Sequence, residues 1–178
     1  ELSAGDYVKT GGSGLAEIMF GDGTLYTVRP NTLFVVRSGD AAAGSQGQSI
    51  AMEYGWVNLS TSERASLVAT PGAEARLERR SEGEVAWQQG DDTGRFAAFS
   101  GTMEGGGAGG ARREVGALEE VRMVAAELST PRRLPGRPVL LAPGDHHEVD
   151  ADRVDRLELR WQPVEGAARY ALEIAHSR

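Results

Sequence analysis

The sequence predicts an all-β chain, mainly antiparallel and of β-roll or sandwich-like form, followed by a shorter β segment that cannot close a core by itself. Three observations carry this expectation. Short apolar runs recur along the first part of the chain with turn signals every ~8–12 residues. Glycine is abundant, 24 of 178 residues, while aromatics make up 6%, a composition of many tight turns rather than a large helical core. No strand-like run alternates with helical segments of about ten residues, which argues against a doubly wound parallel sheet.

In chain order, Ala16, Ile18 and Phe20 alternate with Leu15, Glu17 and Met19, the period-2 signal of a half-buried strand. Gly21-Asp22-Gly23-Thr24 follows. Asp-Gly between apolar runs marks a tight hairpin, because both central residues must accept positive φ. A two-residue loop at Asp22-Gly23 places Phe20 opposite Leu25, with Tyr26 and Val28 on the face of Met19. Pro30-Asn31 makes the next turn, and 33–36 is rich in β-formers. Residues 39–49 are small and polar and predict a loop. A second block has strands at 51–54, 55–59 and 66–70, a Pro71-Gly72 turn, then strands at 73–77, 85–87 and 96–99. It resembles a loose second copy of the first block, without the fixed period of a solenoid.

The sequence EGGGAGGA at 104–111 predicts a flexible linker. Beyond it, Val115, Leu118, Val121, Ala125 and Leu128 fall at helical spacing, whereas Val121-Arg122-Met123-Val124 fits a strand equally well. STPRRLPGRP at 129–138 reads as an extended connector. In 139–178 three strands are expected: Val139-Leu140-Leu141, then Leu157, Leu159 and Trp161 in alternation, then Tyr170, Leu172 and Ile174. Three strands with one apolar face cannot close a core, so this segment is expected to be truncated or completed by another chain. The domain reading is a β domain over 1–104, a Gly/Pro-rich linker over 105–138, and opening strands of a sandwich over 139–178.

A net charge of −7 argues against nucleic-acid binding, which needs a basic surface. No apolar run approaches the ~18–20 residues of a membrane-spanning helix. The absence of cysteine excludes disulfides, thiolate catalysis and cysteine-based metal sites. Lys9 is the single lysine beside eighteen arginines. The chain starts without methionine and stops directly after a strand-like run, so it is expected to be part of a longer polypeptide.

Gly5-Asp6-Tyr7-Val8-Lys9-Thr10, the run from Ser13 to Phe20, Asp22-Gly23-Thr24 and Pro30-Asn31-Thr32-Leu33 resemble the FecR domain of bacterial envelope proteins. Gly55-Trp56-Val57, Val68-Ala69-Thr70-Pro71 and Phe99-Ser100-Gly101-Thr102-Met103 echo the second half of that pattern, while Arg79-Arg80-Ser81-Glu82-Gly83-Glu84-Val85 departs from it. The tail, with Trp161, Pro163, Gly166, Tyr170 and Leu172, is similar to the early strands of a fibronectin-type-III-like domain, in which Trp161 and Tyr170 would pack in the core. The first resemblance implies a non-catalytic domain of the periplasm or cell envelope, without a cofactor. On it, the expected function is protein–protein interaction or scaffolding in an envelope assembly, with protein partners that could complete the C-terminal sheet. The alternatives are a signal-relay regulator of a sigma factor and a cell-wall glycan-binding or glycan-hydrolysing protein, with peptidoglycan reached through further modules.

Gly5, Asp6, Thr10, Phe20, Asp22, Gly23, Pro30, Asn31, Trp161 and Tyr170 are the motif residues, and their expected work is structural. His146 and His147 lie among carboxylates and are the candidate metal ligands, since two imidazoles and an acid suit zinc. Neighbouring side chains on an extended segment point to opposite faces, so a solvated loop is the expected state. Gly21 to Thr24 lacks the lysine of a phosphate loop and the repeated acids of a calcium loop. Asp91-Asp92 and Glu82/Glu84 read as exposed acidic turns rather than a glycosidase carboxylate pair. The doublets Arg79-Arg80, Arg112-Arg113 and Arg132-Arg133 read as solvated charge, and Trp56, Trp87 and Trp161 as core or half-buried.

Overall fold

The computed structural model describes residues 2–37, 48–90, 92–107, 109–125, 127–144, 156–167, 170 and 172. The chain divides into two units, Glu1–Arg133 and Leu134–Arg178. The described residues are all-β, with no helix among them, so none is long and apolar enough to cross a membrane.

The first unit contains β1 (Tyr7–Lys9), β2 (Ala16–Met19), β3 (Leu25–Val28), β4 (Leu33–Arg37), β5 (Ser49–Ser60), β6 (Ser66–Ala69) and β7 (Ala73–Leu77). It continues with β8 (Glu82–Gln88), β9 (Thr93–Ser100), β10 (Met103–Gly107), β11 (Arg112–Val115), β12 (Glu119–Val124), β13 (Glu127–Leu128) and β14 (Arg132–Arg133). These 14 strands form two sheets that share β5. One runs β1-β4-β5-β6-β7-β10-β11; the other runs β2-β3-β5-β8-β9-β12, with β13 and β14 both on β12. Every pairing is antiparallel except β5 with β6. Period-2 alternation drives this arrangement: β3 and β7 bury every second residue, and Tyr26, Phe34, Ile50, Phe96, Met103 and Met123 are fully buried in one cluster drawn from both sheets.

Two of the places where the chain passes from sheet to sheet are glycine corners of like design. The first half of β5 pairs with β4 and β6, the second half with β3 and β8. The turnover is Gly55, at φ 118°, where a Cβ would lie 2.4 Å from Thr32 Cα. Only glycine accepts both the angle and the contact. Thr32 Oγ1 accepts from Trp56 N (2.9 Å) and donates to Trp56 O (3.2 Å). The passage from β9 to β10 repeats this design: Gly101 sits at φ 69° against Ser81, whose Oγ accepts from Thr102 N at 3.2 Å.

The two corners belong to an internal duplication in which β1 to β5 are matched by the second half of β5 through β10. Ala16 faces Val28 as Ser66 faces Leu77, and Val28 faces Val57 as Leu77 faces Met103. The β4–β5 and β8–β9 ladders slip at matching places, between Leu33 and Phe34 and between Glu82 and Gly83. Thr10 Oγ1 donates to Arg29 O and accepts from Thr32 N; Thr61 Oγ1 donates to Glu78 O and accepts from Ser81 N. Asn31 and Arg80 hold the same left-handed φ, 56° and 55°. Core volume is redistributed between the copies. Phe34 is matched by Gly83, and Met103, the counterpart of Val57, fills the space a Cβ on Gly83 would need.

The structure corrects three expectations. Met19, not Phe20, faces Leu25, and Tyr26 faces Ile18, so Tyr26 and Val28 turn into the core. The loop is the three residues Gly21-Asp22-Gly23: Asp22 Oδ1 accepts from Thr24 N (3.0 Å), Phe20 N donates to Thr24 O (2.9 Å), and Gly23 takes φ 83°. In place of a linker beginning at 105, Met103–Gly107 and Arg112–Val115 form a hairpin at the sheet end, and Gly105 and Gly106 are buried. The stretch open to helix or strand is strand, β12 and β13. The first unit therefore runs on to Arg133, past the expected end at 104.

The second unit holds a two-stranded sheet, β15 (Leu140–Ala142) with β16 (Arg160–Trp161). Leu140 faces Trp161, whose ring lies 5.4 Å from that of Tyr170. Tyr170 and Leu172 lie outside any strand, and the rest of the third expected strand falls outside the described residues. No sandwich forms among the described residues, and the fibronectin-type-III-like expectation finds no support.

Candidate functional site

The registers of β5, β8, β9 and β12 build a patterned outer face. Trp56, Ala86, Arg95 and Arg122 stand in one cross-strand row, and Asn58, Glu84, Ala97 and Glu120 in the next. Opposed side chains on neighbouring strands lie close enough to interact, so the two rows bring acids and arginines from distant segments together. The β12–β14 pairing adds Arg132 beside Glu120.

Arg95 bridges both carboxylates, Glu84 through one terminal nitrogen and Glu120 through Nε. Glu120 also accepts from Arg122 Nε (3.2 Å) and from Arg132. The side chains of Glu84 and Glu120 are 5% and 3% exposed, so their charge is tolerated only because the guanidiniums cover it. Burial pushes the Glu84 carboxyl above the usual range, against the opposing pull of Arg95 and a hydrogen bond from Trp56. Burial also raises Glu120, but hydrogen bonds from Arg95 and Arg132 outweigh it and hold that carboxyl below its usual value.

Beside this network lies a groove of about 460 Å³ whose lining includes Pro30, Asn31, Tyr54, Trp56, Gln88, Gln89, Arg95 and Arg122. Trp56 is 40% exposed, and the Arg29 guanidinium lies 5.9 Å from its ring centroid. The groove offers an aromatic face, amide side chains and guanidinium edges. Those are the groups that bind by stacking and by hydrogen bonds to carbonyls and carboxylates. The two carboxylates do not line it.

The motif residues knit the corners of the first copy. Gly5 N donates to Val36 O (2.8 Å), Val36 N to Asp6 O (2.9 Å), and Asn31 N to Gly11 O (3.1 Å). Thr10 is buried, and Phe20 meets Tyr26 edge-on at 5.2 Å. Trp161 and Tyr170 pair in the second unit. His146 and His147 lie outside the described residues, as does Asp91; among the described residues no group of three potential ligands could hold a metal. Arg80 pairs with the exposed Glu63 (3.2 Å), and Arg112 with Glu74 and Glu104. Arg132, expected as solvated charge, is 59% exposed and pairs with the buried Glu120. The signal that could have found this network is charge in the middle of β-rich runs, Glu84 next to Val85-Ala86-Trp87 and Glu120 next to Val121.

No protein-family profile matches the chain, and no curated protein does. Two crystal structures of a candidate anti-sigma factor from Parabacteroides distasonis, at 1.65 and 2.50 Å, share its fold. Each superposes with a TM-score of 0.59 at 13% identity, over 72% of this chain. The chain spans 60% of the length of those structures. The likeness supports the FecR-like fold expected from the motifs.

Proposed function

We propose that this chain is a non-catalytic binding module of the bacterial cell envelope, built on a FecR-like fold, whose work is to hold a protein partner. The observation that carries the reading is the groove over Trp56. The buried carboxylates beside it are engaged by Arg95, Arg122 and Arg132, which removes them from acid–base work and leaves a surface suited to recognition. A glycan hydrolase would need two carboxyl groups facing a shared cleft; here they lie beneath guanidiniums.

A photo-reactive residue in place of Gln88, expressed in the parent cell, tests the reading. A single protein adduct that disappears with Trp56→Ala is the supporting result. Adducts to wall glycan alone, or a protein adduct indifferent to Trp56→Ala, would overturn it. A second reading, a regulator relaying a signal to a sigma factor, draws on the fold shared with the Parabacteroides protein. It requires that deleting the chain change transcription from one sigma factor's promoters, and an unchanged transcriptome would remove it.

A further inference from the structure

The duplication supplies a template for the one strand position that the first copy leaves open. β6 lies between β7 and the first half of β5, which runs parallel to it with Ser49, Ile50 and Ala51 against Leu67, Val68 and Ala69. Its counterpart β2 has β3 on one side and, among the described residues, no strand on the other. Phe20 N donates inward to Thr24 O (2.9 Å), as Thr70 N does to Ala73 O (2.7 Å). Amides alternate along a strand, so those of Glu17 and Met19 face outward, as the amide of Leu67 does. Leu67 N is satisfied by Gln48 O at 3.0 Å.

Burial differs in the same sense at each position. β6 reads buried, half-buried, buried, half-buried, and β2 reads half-buried, exposed, half-buried, exposed. Ala65 is 8% exposed, whereas its counterpart Leu15 is 61% exposed; Met19 is 74% exposed. β2 has no lysine, proline or bulge; among the usual protections of an edge it has its short length and the charge of Glu17.

We infer that the free edge of β2 is an acceptor for one extended strand of a partner protein, added parallel to β2 in the register that Ser49-Ile50-Ala51 takes on β6. Strand addition of this kind draws affinity from main-chain hydrogen bonds and specificity from alternate side chains. The donor carries an apolar residue facing the core beside Ile18, where Ile50 stands beside Val68, and its outward neighbour at Glu17 is favoured as a basic residue. The site is separate from the Trp56 groove and stands whether or not that groove binds. A second copy pairing β2 with β2 about a two-fold axis would run antiparallel, which the template does not match.

The test is a titration of the isotopically labelled chain with the synthetic peptide QGQSIAMEY, residues 46–54, followed by amide chemical shifts. The expected result is saturable shifts centred on Glu17, Ile18 and Met19, absent with the peptide carrying Ile50→Asp. Glu17→Pro removes an outward amide that the fold does not use and that proline can replace at an edge. This variant is expected to melt with the parent and lose peptide binding at least tenfold. Shifts elsewhere, no shifts at millimolar peptide, binding retained by a folded Glu17→Pro chain, or a concentration-dependent dimer abolished by that variant would each overturn the inference.

Discussion

Replacing Arg95 by methionine keeps the hydrophobic stem and removes the charge that spans Glu84 and Glu120. Glu120 retains Arg122 and Arg132, so its loss is partial. Glu84 retains the hydrogen bond from Trp56 and the more distant Arg29, and it bears most of the cost as a buried carboxylate stripped of its ion pair. Breaking such a pair from one side costs about 3–5 kcal/mol, which for a domain of this size lowers Tm by roughly 10 °C. The cost depends on pH with a definite sign. A carboxyl whose folded pKa is raised, as for Glu84, destabilises the fold as pH rises past its unfolded value near 4.5, and Arg95→Met raises it further. Glu120, held low, stabilises the fold above that value and loses the contribution as pH falls through its folded pKa. The gap between parent and variant is therefore widest at pH 7 and narrows toward pH 4. Urea unfolding followed by tryptophan fluorescence at pH 7 and pH 4.5 measures it, and adding Glu84→Gln to Arg95→Met is expected to recover part of the loss at pH 7. A gap under about 1 kcal/mol at pH 7, a gap independent of pH, or no recovery from Glu84→Gln would refute the reasoning.

Three further outcomes follow from the fold. Gly55→Ala forces a side chain into φ 118° and against the Thr32 backbone, and is expected to cost at least about 3 kcal/mol, read as loss of the cooperative melt or a Tm fall of ~10 °C. Thr10→Val and Thr61→Val each strand a carbonyl and an amide at about 1–3 kcal/mol; the two costs are expected to agree within about 1 kcal/mol and to add in the double variant. Residues 1–133 alone are expected to melt as the first unit does. Residues 1–104 lose Val115, Val121 and Met123 from the core cluster that holds Phe96, at ~1.5–3 kcal/mol each, and are expected not to fold.

The alternation of Tyr26 with Val28 and of Ala73, Ala75 and Leu77 made these strands legible, because a half-buried strand writes its period into the chain. The hairpin register was lost by one residue since Gly21 extends the Asp22-Gly23 turn, a choice settled by the Asp22–Thr24 hydrogen bond rather than by composition. Gly105 and Gly106 looked like linker because composition does not distinguish a flexible glycine from one packed under Phe96 or Glu74. The buried ion-pair network was hidden for another reason: Glu84, Arg95, Glu120 and Arg132 meet only through the pairing of β8, β9, β12 and β14. The duplication was visible in the sequence only as a loose likeness, since Phe34 answers to Gly83 and Tyr26 to Ala75; hydrogen bonds and register kept it while side chains diverged.

Residue-by-residue amide exchange in the free chain tests most directly whether one half-fold is repeated, closed in its second copy and open in its first. Leu67 and Ala69 are expected to exchange slowly, near the global opening rate, while Glu17 and Met19 exchange close to the rate of an unstructured peptide. Equal protection at the two pairs would contradict the open edge.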